Sequence, residues 1–99
     1  MTSTLEVAVR NIWRLGGGQK YGLRILRRDN GDITIFISGI FSENTIATGL
    51  QSLSDLTSSF ACWQIPLVMQ PEITSEGRVK RLIINVSKAE IQQAERLLR

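Results

Sequence analysis

The sequence has no histidine, and its 99 residues include a single cysteine, Cys62. A lone thiol cannot close an intramolecular disulfide, so a cross-linked secreted scaffold is excluded. Without imidazole and with one thiolate, the usual ligand set of a tetrahedral zinc site cannot be assembled. The missing histidine also removes the side chain that titrates unperturbed near neutral pH, the commonest general base. No apolar run approaches the ~18 residues needed to cross a bilayer. The start, Met1-Thr2-Ser3-Thr4-Leu5-Glu6, lacks the basic region and apolar stretch of a signal peptide, and the expected location is cytoplasmic.

What is present suits one soluble domain spanning residues 1–99. With 42% hydrophobic residues the chain can fold alone, but its core is small enough that a subunit interface would add useful buried area. The net charge of +3 hides an uneven layout. Residues 1–28 sum to +5, residues 29–77 hold only acids and sum to −6, and residues 78–99 sum to +4.

Alternation places the expected elements. Leu5, Val7 and Val9 alternate with polar or small residues and read as a first strand. Gly16-Gly17-Gly18 reads as a flexible hairpin tip, followed by a strand with Tyr21, Leu23 and Ile25 on one face. Asp29-Asn30-Gly31 marks a turn into a third strand bearing Ile33, Ile35 and Ile37. A three-residue loop here pairs Ile25 with Ile35 and Leu23 with Ile37, whereas a two-residue loop sets isoleucines opposite arginines. The apolar match favours the first, with Gly31 at a left-handed bulge position.

Ser42 is positioned to cap a helix, with Phe41 and Ile46 as its hydrophobic staple and Ile46, Leu50, Leu53, Leu56 or Thr57, and Phe60 at helical spacing. The Ser/Thr-rich stretch 52–59 predicts fraying near Thr57. Trp63, Ile65, Leu67 and Met69 alternate as a fourth strand, which Pro66 and Pro71 confine to an edge or a bulge. A turn over Thr74–Gly77 aligns Leu67 with Ile84 and Met69 with Leu82 in a fifth strand. Ser87-Lys88-Ala89-Glu90 is a capping box, with Val86 and Ile91 as its staple, and it opens a last helix. The expected fold is therefore α+β, an antiparallel sheet of about five strands with two helices on one face, in the order β-β-β-α-β-β-α. Both halves show a glycine turn, a strand and then a serine; chance recurrence accounts for this more simply than a duplicated ββα unit.

Catalytic constellations are thin. Gly16-Gly17-Gly18-Gln19-Lys20 departs from the phosphate-loop spacing, which also requires a following helix. Ser87 and Lys88 are adjacent and do not face each other as a dyad would. Asp29 and Asp32 read as turn chemistry, and Cys62 as a small buried residue with no cationic neighbour in sequence. No enzyme activity, cofactor, metal or small-molecule substrate is expected.

The informative parity is the one facing away from the helices. It interleaves Leu26, Phe36, Val79 and Ile83 with Arg24, Arg28 and Arg81, and Arg24 falls across from Phe36, where its guanidinium can stack on the ring. A sheet face of this composition calls for a partner. The first expectation is a non-catalytic binding module, a homodimer or a protein-binding unit, acting through Arg24, Leu26, Phe36, Val79, Arg81 and Ile83. The alternative is a nucleic-acid-binding protein using Arg10, Arg14, Lys20, Arg24 and Arg28 with the glycine-rich tip. On either reading the basic ends of the chain meet across the sheet, and charge belongs to one face.

Overall fold

A computed structural model of the protein describes residues 4–42, 45–46 and 50–98. Helix α1 (Thr4–Leu15) leads through a short 3-10 turn (Gly18–Lys20) into strands β1 (Gly22–Arg27) and β2 (Ile33–Ser38). A two-residue ladder, β3 (Phe41–Ser42) with β4 (Thr45–Ile46), precedes helix α2 (Ser52–Cys62), and β5 (Met69–Ile73), β6 (Val79–Val86) and helix α3 (Lys88–Leu97) complete the chain. The four longer strands form one antiparallel sheet in the order β1-β2-β6-β5. The fold is thus α+β, with three helices and a four-stranded sheet rather than two helices and five strands.

The difference originates in residues 4–15, which form α1 where residues 5–10 were expected as a strand. Leu5, Val9 and Trp13 recur every four residues, and all three are buried, while Val7 is 46% exposed. A helical stripe buries more of the large side chains of this segment than alternation does. It also brings Glu6 inward, where Arg27 Nε on β1 donates to Glu6 Oε1 at 2.6 Å. The ion pair ties the first turn of α1 to the outer strand.

The triple glycine is not a hairpin tip but the exit from α1. The Gly16 amide donates to Ile12 O, and Gly17 adopts φ 90°, the left-handed conformation that ends helices. The flanking glycines serve close packing. A Cβ on Gly16 would strike the backbone of Ser52, and one on Gly18 would enter the Trp13 indole. This proximity lets Gln51 N–H donate to Gly16 O at 3.0 Å and Ser52 Oγ donate to Trp13 O, so the start of α2 satisfies carbonyls at the end of α1. The Trp13 indole N–H is buried without an acceptor among the described residues, a cost of about 1–3 kcal/mol that tight packing must offset.

Helix α2 starts at Ser52 rather than after Ser42, which instead pairs with Thr45 while Phe41 pairs with Ile46. Gly49, inside the expected helix, lies outside the described residues. The helix does not fray at Thr57, whose Oγ1 turns back to donate to Leu53 O. It continues to Cys62, and a two-bond cap closes it: Gln64 N–H donates to Ala61 O and Ile65 N–H to Phe60 O, with Gln64 at φ 59°. Gln93 Nε2 on α3 holds the Gln64 carbonyl at 2.9 Å. Cys62 lies exposed at this helix end, not buried as expected.

Several sequence expectations match the structure directly. Ile25 pairs with Ile35 and Leu23 with Ile37, and Gly31 sits at φ 95°. The Ser87–Glu90 capping box is complete in both directions. Pro71 lies on the edge strand β5 next to a bulge at Glu72/Ile73. That strand begins at Met69, later than expected, and Met69 pairs with Ile84 and Pro71 with Leu82. The slip is two residues, so every side chain keeps its face. Trp63 and Ile65 precede the strand and are buried in the core. The halves of the chain differ: β6 passes directly into α3, whereas β3 and β4 intervene between β2 and α2.

The core lies between the sheet and the helices. Ile33, Ile35, Ile37, Leu82, Ile84 and Val86 meet Leu5, Val9 and Trp13 of α1, Leu56 and Phe60 of α2, and Ile91 and Ala94 of α3, all buried. Each such aliphatic or aromatic side chain contributes about 1.5–3 kcal/mol relative to exposure.

Candidate protein-interaction face

All three helices draw their buried residues toward one side of the sheet. The other side is built by the alternate residues of the same strands, in rungs that the register defines. Leu26, Thr34 and Asn85 make one rung. Arg24, Phe36, Ile83 and Gln70 make the next, followed by Gly22, Ser38, Arg81 and Glu72, and beyond the bulge Val79 stands beside Ile73. The six residues Arg24, Leu26, Phe36, Val79, Arg81 and Ile83 therefore share this face. Leu26, Phe36, Val79, Arg81 and Ile83 are each half-buried, Arg24 is exposed, and Ile73 at the margin is 52% exposed.

Charge on the face is arranged around Phe36. The Arg81 guanidinium carbon lies 4.5 Å from the Phe36 ring centroid. The residue across the strand, Arg24, does not take this role: Arg81 reaches the ring diagonally, as long side chains on neighbouring strands do. Arg81 Nε also donates to Glu72 Oε2 at 2.8 Å, while Lys80 Nζ approaches Glu72 Oε1 at 3.7 Å. The Arg81 hydrogen bond holds the Glu72 carboxyl below the usual carboxylate range, and Lys80 acts in the same direction. Glu72 is thus a carboxylate bridged within its own chain by Arg81 and Lys80.

Next to the first rung, the face ends in a cleft of about 440 Å³ that includes Arg28, Asp32, Thr34, Asn85, Ser87 and Glu90. Arg28 Nε donates to Thr34 Oγ1 and Thr34 Oγ1 to Asn85 Oδ1, so the buried Thr34 hydroxyl is satisfied under the arginine. The carboxylates here are structural. Glu90 accepts from Ser87 N–H, and Asp32 accepts from Lys88 N–H at 2.8 Å and from Asn30 Nδ2. The N-terminus of α3 is therefore occupied by the chain's own acids. Sequence reasoning assigned Asp32 to its turn but missed this contact with α3, because the two residues are 56 positions apart. It likewise missed the Glu6–Arg27 pair, since a strand at residues 5–10 does not bring Glu6 under β1.

The five basic residues of the nucleic-acid expectation do not share one surface. Arg10 and Arg14 lie exposed on α1 in the helical layer, and Lys20 ends the 3-10 turn. Arg24 and Arg28 have open-face parity on and just beyond β1. The basic ends of the chain consequently divide between the two layers instead of meeting on one face.

Among the described residues no helix is long and apolar enough to cross a membrane. Among them, too, no group of three or more His, Cys, Asp or Glu is placed to hold a metal ion. The chain matches no family model, no curated protein and no solved structure.

Proposed function

We propose that the protein is a small non-catalytic binding module that self-associates as a homodimer through the helix-free face of its sheet. The observation that supports this reading is the apolar centre of that face. Leu26, Phe36 and Ile83 occupy adjacent strands and stand on the side that the three helices leave uncovered. Removing such a cluster from water is favourable by about 25 cal/mol per Å² of apolar area, and two-fold pairing of identical faces is the commonest route to it. Edge-to-edge pairing is less suited, because β5 carries Pro71 and a bulge while the Arg27–Glu6 pair joins β1 to α1.

Sedimentation velocity across a concentration series tests the reading. The wild-type chain is expected to run as a dimer at tens of micromolar, and Phe36→Asp as a folded monomer with an unchanged far-ultraviolet dichroism spectrum. Ile83→Lys serves as the second variant with the same expectation. A wild-type monomer at that concentration overturns the proposal. So does a wild-type chain whose only large complex forms on added DNA or RNA at low salt and dissolves steeply as salt rises, the signature of phosphate contact.

A further inference from the structure

The sheet has two outer strands, and their edges are unlike. On β5, Pro71 and the bulge at Glu72/Ile73 break the regularity of the strand. Strand β1 pairs only with β2, with no bulge and no proline. The hairpin register shows which of its backbone groups are engaged. Arg28 N–H donates to Asp32 O, so Gly22, Arg24 and Leu26, spaced by twos from Arg28, turn their N–H and C=O groups toward β2. Leu23, Ile25 and Arg27 turn theirs outward, where they have no hydrogen-bond partner among the described residues.

Apolar side chains flank this edge on the helical side. Leu23 and Ile25 are half-buried, while the residues they pair with, Ile37 and Ile35, are buried, so the helical layer stops short of the outer side of β1. The surrounding charge is positive. Arg24 and Arg28 are exposed, have open-face parity and form no ion pair among the described residues. Lys20 precedes the strand, and Arg10 is exposed on α1 one turn past Glu6, the residue that holds Arg27. Of the acids nearby, Glu6 is buried in that pair and Asp32 accepts from Lys88 N–H, which leaves Asp29 in the turn against these cations.

A second copy of the chain does not suit the edge. Antiparallel pairing of two β1 strands gathers Arg24, Arg27 and Arg28 of both copies on one short ladder, where like charges repel. It also sets two α1 helices against each other on one side of the joined sheet. A thin extended segment carrying acids meets neither obstacle. The Arg27–Glu6 pair engages side chains on the helical side and leaves the backbone edge open to it.

We propose that the free edge of β1 receives an acidic, extended segment of another protein as a fifth strand of the sheet. The segment's backbone bonds to the outward N–H and C=O groups of Leu23, Ile25 and Arg27. Successive side chains alternate between faces, so the segment sets apolar residues beside Leu23 and Ile25 and acids beside Arg24 and Arg28. Because those arginines are four residues apart, the recognised pattern is two acids at the same spacing with apolar residues at the intervening alternate positions. The site lies at the margin of the sheet and is independent of the homodimer proposed above.

The probe is the peptide Thr-Val-Glu-Val-Thr-Val-Glu-Val-Thr, blocked at both ends, with a counterpart in which lysine replaces each glutamate as control. Fluorescence anisotropy at low salt is expected to show the acidic peptide binding the wild-type chain about tenfold or more tightly than the lysine peptide, the difference shrinking as salt rises. Amide exchange is expected to slow on binding at Leu23, Ile25 and Arg27 and to stay unchanged on β5. The double variant Arg24→Glu/Arg28→Glu is expected to invert the preference between the two peptides. Ile25→Pro removes an outward N–H without taking a donor from the β2 ladder and is expected to weaken binding about tenfold. Should that variant not fold, the exchange pattern of the wild-type complex decides.

An acidic peptide that does not bind the wild-type chain, or binds no better than the lysine peptide, overturns the proposal. So does binding that leaves the three outward amides exchanging as before. A chain that binds oligothymidine at low salt more tightly than the acidic peptide, with those amides unchanged, assigns the arginines to phosphate contact and overturns it as well.

Discussion

The two faces of the sheet are made by the same strands, often by adjacent residues, yet they differ in kind. On the covered face Ile35, Ile37 and Ile84 are at most 1% exposed and belong to one core with buried residues of three helices. One residue along in each strand, Phe36 and Ile83 are only half-buried, and Phe36 has the Arg81 guanidinium over its ring. Alternation is what separates them: a period of two assigns every neighbour to the opposite surface. The covered face has chemistry that ends within the chain. The open face combines an apolar centre with charged margins.

The comparison is broken most directly by substituting one phenylalanine on each side. Phe60→Ala empties a fully buried site under α2 and is expected to lower the unfolding free energy by about 3–5 kcal/mol. Phe36→Asp, measured in the monomer, is expected to alter stability far less while abolishing association. Equal losses in chemical denaturation would mean that Phe36 is core and the open face is not an interface.

A matched pair of glycines sharpens the contrast at smaller scale. Gly18→Ala drives a methyl into the Trp13 indole in the helical layer and is expected to cost about 1–3 kcal/mol. Gly22→Ala, on the open face of β1, meets first the Ser38 hydroxyl, which can rotate away. It is expected to be neutral or stabilising by about 0.5 kcal/mol through the unfolded chain. Thermal or urea unfolding of the two variants decides between them.

The smallest expected effect concerns pH. Because Arg81 lowers the Glu72 pKa in the folded chain, the pair's contribution is complete above the ordinary carboxylate value of 4.5. It is lost only as pH falls through the lowered folded-state value. Amide exchange protection in the β5–β6 hairpin should therefore hold at mildly acidic pH and decline in stronger acid, and Glu72→Gln should flatten that decline. A decline that begins above the ordinary carboxylate value would place the responsible group elsewhere.

How far the fold was readable from residues varies along the chain, for physical reasons. The Asp29-Asn30-Gly31 turn and the Ser87–Glu90 capping box are local devices whose residue types and spacing dictate their geometry, and both stand as read. The open-face residues were also readable, because parity survives even the two-residue slip of β5 against β6. The first segment was not. Leu5, Val7 and Val9 satisfy a period of two, and Leu5, Val9, Ile12 and Trp13 satisfy the helical period equally well. Trp13 was the signal that distinguished them, since a strand ending near Arg10 leaves the indole without a place.

By itself the sequence determined the strand parities, the β1–β2 register, the cap of α3 and the absence of histidine chemistry, because each depends on neighbours or on composition alone. Only the tertiary structure decided that residues 4–15 form a helix, that the glycine run is a packing junction beneath α2 and Trp13, and that Arg81 rather than Arg24 stacks on Phe36. It also divided the basic residues between two layers. These outcomes depend on what lies across a gap of tens of residues, where burial of Trp13, the fit of a glycine against Ser52 and the reach of a guanidinium outweigh local propensity.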